Sequence, residues 1–292
     1  MSTEPAPEPQ FLDAPELPAG AEARPRPRWP PWMSIVALVA GFAAALFGAL
    51  VLGVIAVAFG ADFEDQPPSV QILATIVQDL CLIGSAILFA RTAGRVRPAD
   101  FGLRPTRLLP AIGWAVLTWT SFIVFTAVFV KIVGADPSDD QLPEQLGADD
   151  STMALIAVAF LVAVVAPIAE EFFFRGFFFR ALKNWRGLWP AAILTGLVFG
   201  AIHGSSADVA FLLPLAFFGF ALCLLYEKTG SLYPGIAVHC TNNSIAFGAT
   251  QDWTWQIGVL LVCSLVVIGF VALAVRAVWS PRPPAPAPAA AA

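Results

Sequence analysis

The sequence has little charge and almost no histidine. Of its 292 residues, 13% are Asp, Glu, Lys or Arg, whereas a soluble domain carries roughly 25%. Only two residues are histidines. The arginines are spread over several short connections and form no basic face, which excludes nucleic-acid binding. Hydrophobic residues make up 58% of the chain, and its mean hydropathy is +0.76. This balance predicts a polytopic membrane protein.

Cysteine is also scarce, and its positions exclude a disulfide framework or a cysteine metal cluster. None of the four cysteines has the CxxC spacing of such sites. All lie within apolar runs, where free cysteine behaves as a small hydrophobic residue. They are Cys81, Cys223, Cys240 and Cys263.

The two ends of the chain lack the periodic apolar residues of a folded element. Residues 1–31 are rich in Pro, Ala, Glu and Arg, and residues 281–292 are Pro/Ala low-complexity sequence. Both are predicted to be disordered tails, the first of them cytoplasmic. The first tail is not a secretory signal, because it is long and acidic and the run after it can span a bilayer. Residues 32–280 form the predicted transmembrane domain.

Eight hydrophobic segments lie between the tails. They predict an all-α fold, a polytopic membrane helix bundle of about eight transmembrane helices. Spanning a bilayer takes about 20 apolar residues, so the fifth segment is short and the fourth is unusually long. The segments are 33–59, 70–91, 108–133, 152–184, 188–203, 208–226, 231–250 and 255–279.

The connections between the segments alternate in charge. The second, fourth and sixth connections hold the Arg and Lys residues, and the others hold Asp or Glu without a base. Lys131 alone lies on the acidic side, at a helix end where it can snorkel to the interface. Basic residues collect on the cytoplasmic side, which predicts that both termini are cytoplasmic. Lysine is rare relative to arginine (three to thirteen), which favours a bacterial plasma-membrane protein.

Three short motifs place ionisable or strongly polar side chains inside these apolar segments. A charged group in hydrocarbon costs roughly 2.5–3.5 kcal/mol, so such groups are functional candidates. The motifs are EExxxR with Glu170, Glu171 and Arg175, FxxxH with Phe199 and His203, and HxxxN with His239 and Asn243. Counted from the cytoplasmic helix ends, Glu170 and His203 lie about 21 Å deep, and His239 and Asn243 about 12 and 18 Å. These overlapping depths predict a shared cavity.

The first motif predicts an ion pair beside a free carboxylate. Glu171 and Arg175 are four residues apart on one helix face, and pairing offsets the cost of burying both charges. Glu170 is rotated by about 100°, so it can point into the cavity. A pairing of Arg175 with Glu170 instead stays open. Pro167 is expected to kink the helix and free backbone carbonyls near the site.

Together the motifs favour hydrolysis. Glu170 would take a proton from water, with His203 orienting that water or sharing the proton. His239 and Asn243 share a helix face and would donate hydrogen bonds to a developing oxyanion. Glu170, His203 and His239 could instead hold a divalent metal such as Zn²⁺, with one coordination position left for water. The partners expected are the lipid bilayer and a peptide or protein substrate within or at the membrane.

Two other functions stay open. A proton-coupled transporter could use Glu170 and His203 as a relay, joined by Asp79 in the second segment. Transporters often contain internal repeats, and the EExxxR region has no second copy. A non-catalytic immunity or scaffold protein could keep the same fold. Each motif alone could also be structural, since polar groups often join membrane helices.

The three motifs resemble those of the CPBP family, the CAAX proteases and bacteriocin-processing enzymes, also called abortive-infection-like. The flanking sequence, residues 166–176 and 226–232, is similar as well, and the resemblance covers residues 150–250. It implies an α-helical intramembrane endopeptidase in which Glu170 activates water and His203 assists. It also implies that His239 and Asn243 stabilise the oxyanion, with Glu171 and Arg175 supporting. Both metal-dependent and metal-independent mechanisms are ascribed to this family, and the absence of a compact HExxH pair favours the second.

Overall fold

The computed structural model describes residues 28–62, 66–134 and 146–279. Within these ranges it contains eight long helices, two short 3₁₀ turns and no strand, which confirms the predicted all-α fold. The helices are α1 (Trp32–Ala58), α2 (Pro68–Thr92), α3 (Leu108–Val133), α4 (Thr152–Arg186), α5 (Leu188–Ile202), α6 (Val209–Thr229), α7 (Tyr233–Thr250) and α8 (Trp255–Trp279). Their bounds lie within a few residues of the predicted segments.

Six of the eight helices are long and apolar enough to cross a membrane, by length and composition. The exceptions are α5, which has 15 residues, and α7, whose 18 residues include the polar HxxxN motif. Large hydrophobic side chains on the outer helix faces are exposed, including Leu46, Leu117 and Phe270. Such surfaces are stable in lipid and not in water. The chain is therefore an integral membrane protein with a polytopic helical bundle.

Two π-helical turns interrupt α4, at Leu161–Val165 and Phe172–Phe178. In the first turn, the amide of Ala166 bonds to the carbonyl of Leu161, five residues back. The next bond in this series would join residue 167 to Val162, but Pro167 has no N–H. The Val162 carbonyl is therefore left for another donor. This is the effect expected of Pro167, and the six residues Ala166–Glu171 between the two turns carry both glutamates.

Glycines bring α5 and α6 into backbone contact. A methyl group added to Gly196 would lie 2.5 Å from the carbonyl oxygen of Ala216, and one on Gly219 would lie 3.0 Å from the Cα of Gly196. Small residues at such positions let membrane helices approach closely. This contact places Phe199, between Gly196 and Gly200, against the site described below.

Aromatic side chains fill the core around the second π turn. Phe173, Phe174, Phe177, Phe178 and Phe179 are all fully buried. The side chain of Trp29, just before α1, is also buried, and its ring packs against Phe101 and Phe177.

The predicted tails fall mostly outside the described residues, which begin at 28 and end at 279. Of the acidic connection 134–151, residue 134 and residues 146–151 are described, and Leu146 and Ala148 are buried in a cluster with side chains of α4, α7 and α8.

Candidate functional site

A buried ion pair forms the base of the site. Arg175 Nη1 donates to Glu171 Oε1 at 2.7 Å, and the two side chains are 0% and 1% exposed. Arg175 Nη2 also donates to the backbone carbonyl of Gly219 in α6 at 3.0 Å, and its guanidinium lies 4.6 Å from the ring centroid of Phe199. The pairing expected from the i, i+4 spacing is present, so each of the two buried groups has a partner of opposite charge.

His239 is oriented by the same glutamate. Its Nδ1 lies 3.1 Å from Glu171 Oε1, and the side chain is buried. A carboxylate only accepts hydrogen bonds, so Nδ1 carries the hydrogen and donates. The ring also packs edge-on against Phe218, with centroids 5.3 Å apart. These contacts fix the direction of Nε2, which points toward Glu170.

Glu170 presents a carboxylate oxygen that is free to act. Its Oε2 lies 3.7 Å from His239 Nε2, too far for a direct hydrogen bond. This oxygen is buried and has no hydrogen-bond partner among the described residues. The rest of the side chain is 17% exposed. One water molecule could bond to both Glu170 Oε2 and His239 Nε2 at this spacing.

His203 closes α5 next to the site. Its Nδ1 lies 2.7 Å from the carbonyl oxygen of Phe199, one turn earlier. Since a carbonyl can only accept, Nδ1 donates, and Nε2 of the neutral ring is left as an acceptor. The Phe199 ring lies between the two histidines, with centroids 4.9 Å from His203 and 5.7 Å from His239.

Asn243 joins α7 to the first π turn of α4. Its amide Nδ2 donates to the carbonyl oxygen of Val162 at 3.0 Å, the acceptor that Pro167 leaves without an amide. An amide nitrogen has two hydrogens, so the second N–H of Asn243 can serve another acceptor. Sequence patterns did not reveal this contact, because the partner is a backbone atom.

The structure therefore joins Glu171, Arg175 and His239 by hydrogen bonds, places Glu170 3.7 Å from His239, and links His203 to the site through the Phe199 ring. It does not assemble a metal site: no group of three His, Cys, Asp or Glu residues in the described part of the chain is arranged to hold a metal ion. Nδ1 of each histidine is bonded to a protein acceptor, which leaves Nε2 of both rings as the nitrogen that a metal would use, with Glu170 as the carboxylate ligand.

The sequence did not indicate two glycines that support the ion pair of Glu171 and Arg175. Gly219 contributes only its carbonyl oxygen to Arg175. Gly235 gives Glu171 room, since an added methyl group would lie 2.9 Å from Glu171 Oε2. Neither has a motif, although glycine within an apolar helix often marks close packing.

Fold and contacts define an integral membrane helix bundle with a buried carboxylate–histidine site. Residues 152–245 match the family model described as type II CAAX prenyl endopeptidase, Rce1-like. The match covers less than half of the chain, but it contains all three motifs. It confirms the predicted resemblance to CAAX-type membrane endopeptidases, and its limits lie close to the predicted 150–250.

Two curated relatives also match part of the chain. One, named "Putative membrane peptidase YdiL", from Bacillus subtilis (strain 168), is 30% identical over 95 residues, which is 32% of this chain and 38% of the relative. Another, named "Uncharacterized 24.3 kDa protein", from Escherichia coli, is 25% identical over 142 residues, 47% of this chain and 65% of the relative. The chain thus spans less than two thirds of the length of each. No solved structure matches it.

Proposed function

We propose that this protein is an intramembrane endopeptidase that hydrolyses peptide bonds of membrane-associated peptides, including prenylated-type substrates, with water activated by Glu170. The observation that carries the proposal is the buried Oε2 of Glu170, which has no hydrogen-bond partner within residues 28–62, 66–134 and 146–279 and lies 3.7 Å from the Nε2 of an oriented histidine, His239. The family match and the relative named as a peptidase support the same class of reaction.

In this mechanism Glu170 removes a proton from a water molecule that His203 Nε2 helps to orient as an acceptor. The oxygen of that water attacks the peptide carbonyl. The resulting oxyanion accepts hydrogen bonds from His239 Nε2 and from the second N–H of Asn243. Nε2 donates only when the ring carries both protons, and in that form Nδ1 still donates to Glu171. Glu170 then passes its proton to the leaving amine, so the carboxylate is regenerated.

Glu171 and Arg175 act through His239 in this scheme. Their ion pair holds the Glu171 carboxylate in place, and Glu171 fixes the ring. Contacts of this kind hold reacting groups within the narrow geometry that hydrolysis needs. No step is assigned to a metal. We also propose that the protein lies in the bacterial plasma membrane with both termini cytoplasmic, as the alternating charges indicate.

The test compares peptide termini in native membranes that carry wild-type protein, Glu170→Gln or Glu227→Gln at equal expression. Glu227 is the matched control, because it is also a partly buried glutamate. It lies near the end of α6, away from the site, and pairs with Lys183 near the end of α4. Termini present with wild type and Glu227→Gln but lost with Glu170→Gln are expected, and they identify substrate and cleavage site together. Identical termini in all three samples would reject the peptidase and favour transport or a scaffold.

A further inference from the structure

An apolar groove opens on the outer surface of the bundle, between the start of α1, the end of α4 and the middle of α5. Helices α1 and α5 both pack against the segment Phe179–Arg186 of α4, and the groove lies between them. Its volume is about 340 Å³, which is within the range of ligand pockets. Every residue that lines it is hydrophobic.

The groove runs from the end of the helices inward for about one leaflet. Trp32 begins α1 and Trp185 is the last residue but one of α4, so both rings lie at the mouth. Val198, at the inner end, lies about 15 Å from the start of α5 at Leu188. The hydrocarbon core of a bilayer is about 30 Å thick, so this depth matches one acyl chain of one leaflet. The floor is formed by the buried side chain of Phe178.

Positive charge collects at the mouth of the groove. The exposed guanidinium of Arg186 lies 4.4 Å from the ring centroid of Trp185. The guanidinium of Arg180 lies 4.9 Å from the ring centroid of Trp29, and Arg28 is exposed next to Trp29 in the chain. None of the three arginines forms an ion pair within the described residues. Their guanidinium groups are therefore available to a phosphate, which arginine binds through several N–H groups at once.

The elements around the mouth bring little negative charge. Helix α1 and residues 172–202, which form the end of α4 and all of α5, contain no Asp or Glu. Glu227, near the end of α6, is paired with Lys183. Asp100, next to the Phe101 that packs on Trp29, accepts a hydrogen bond from the amide of Arg97. The charge at the mouth is therefore positive, which favours an anionic occupant.

Buried aromatic rings separate the groove from Glu170. Phe178 in the floor packs against Phe174, and Phe174 packs against Phe199, with centroids 5.8 and 5.3 Å apart. All three side chains are fully buried, and Phe199 is the ring that lies beside the two histidines. A chain in the groove therefore does not reach the carboxylate, and its occupant is not a peptide in position for cleavage.

We propose that this groove binds an anionic phospholipid, with one acyl chain between α1, α4 and α5 and the phosphate at the arginines of the mouth. Tryptophan is enriched where headgroups meet hydrocarbon, which is the level of Trp32 and Trp185. Basic pockets between membrane helices are typical sites for lipid headgroups. The bound lipid contacts all three helices and stabilises their packing. The inference goes beyond the proposed function, and binding is measured without any substrate.

The first experiment counts the lipids bound to the purified, delipidated full chain by native mass spectrometry. Phosphatidylglycerol and phosphatidylcholine with the same acyl chains are compared, and we expect one phosphatidylglycerol to bind roughly tenfold more tightly. Arg180→Gln and Arg186→Gln should each lower that affinity about fivefold. Arg276→Gln is the control, because α8 packs against α7 and the first π turn, away from the groove. Equal affinities for the two lipids, or an equal loss in Arg276→Gln, would overturn the proposal.

The second experiment fills the groove and measures the unfolding temperature with and without phosphatidylglycerol. A ligand that binds the folded chain raises this temperature, so wild type should be stabilised. Leu194→Trp places a larger side chain in the groove and should remove the shift, and Val198→Phe is a second variant with the same expected result. Leu117→Trp, on an exposed face of α3, is the control and should keep the shift.

Glycerol 3-phosphate carries the phosphate without acyl chains and should not stabilise the chain. A shift with glycerol 3-phosphate equal to that with the lipid, or a lipid shift that persists in Leu194→Trp and Val198→Phe, would show that the groove does not hold the lipid. A dimer that both groove variants abolish and phosphatidylglycerol does not displace would instead make the groove an interface between copies of the chain.

Discussion

At the scale of single residues, the site depends on one ion pair that is sealed from solvent. Replacing Arg175 with Leu removes the guanidinium that pairs with buried Glu171, and breaking a buried pair costs about 3–5 kcal/mol. We therefore expect Arg175→Leu to lower the unfolding temperature strongly in detergent. The double variant Glu171→Gln/Arg175→Leu should regain much of that stability, because neither charge remains. If the double variant is as unstable as the single one, packing rather than charge governs this position.

The position of Glu171 depends on the space that Gly235 leaves for its carboxylate. The methyl group of Gly235→Ala would lie 2.9 Å from Glu171 Oε2, so Glu171 must move and His239 with it. Displacing a catalytic group by about 1 Å costs up to 100-fold in rate. We expect cleavage to fall by about 10- to 100-fold. Gly258→Ala in α8 is the control, because open space surrounds that position. Equal rates for both variants would show that Glu171 does not orient His239 in the reaction.

At the scale of helices, Pro167 in α4 leaves the Val162 carbonyl free to accept the hydrogen bond from Asn243. Pro167→Ala restores an amide that can bond to Val162 in the π register and compete with Asn243. We expect cleavage to decrease while helix stability is kept or raised, since the added bond favours the helix. Pro214→Ala, which changes a proline inside α6, serves as the control. Unchanged cleavage in Pro167→Ala would indicate that Asn243 does not need the Val162 carbonyl.

The helices and several contacts could be predicted because their signals are local. Eight apolar runs gave eight helices, and the spacing of Glu171 and Arg175 gave their pair. Which histidine lies beside Glu170 could not be predicted, because both histidines are on other helices. Only the packing of the helices places His239 Nε2 3.7 Å from Glu170 Oε2. His203 instead bonds to the carbonyl of Phe199. The acceptor of Asn243 is a backbone carbonyl with no sequence signature. Asp79 was visible as an intramembrane acid, but the packing of its helix, α2, on α4 was not.

At the scale of the whole molecule, the side of the membrane that each connection faces decides which substrates can reach the site. The predicted orientation puts the end of α2 in the cytoplasm and the turn before α8 outside. Ala93 and Thr254 are exposed at these two places, so cysteines placed there, in a chain with its four cysteines replaced, report the sidedness. In intact cells an impermeant maleimide should label Thr254→Cys, and it should label Ala93→Cys only after lysis. The cysteine-free chain gives the background, and the reverse labelling pattern would invert the topology and place the acidic connections in the cytoplasm.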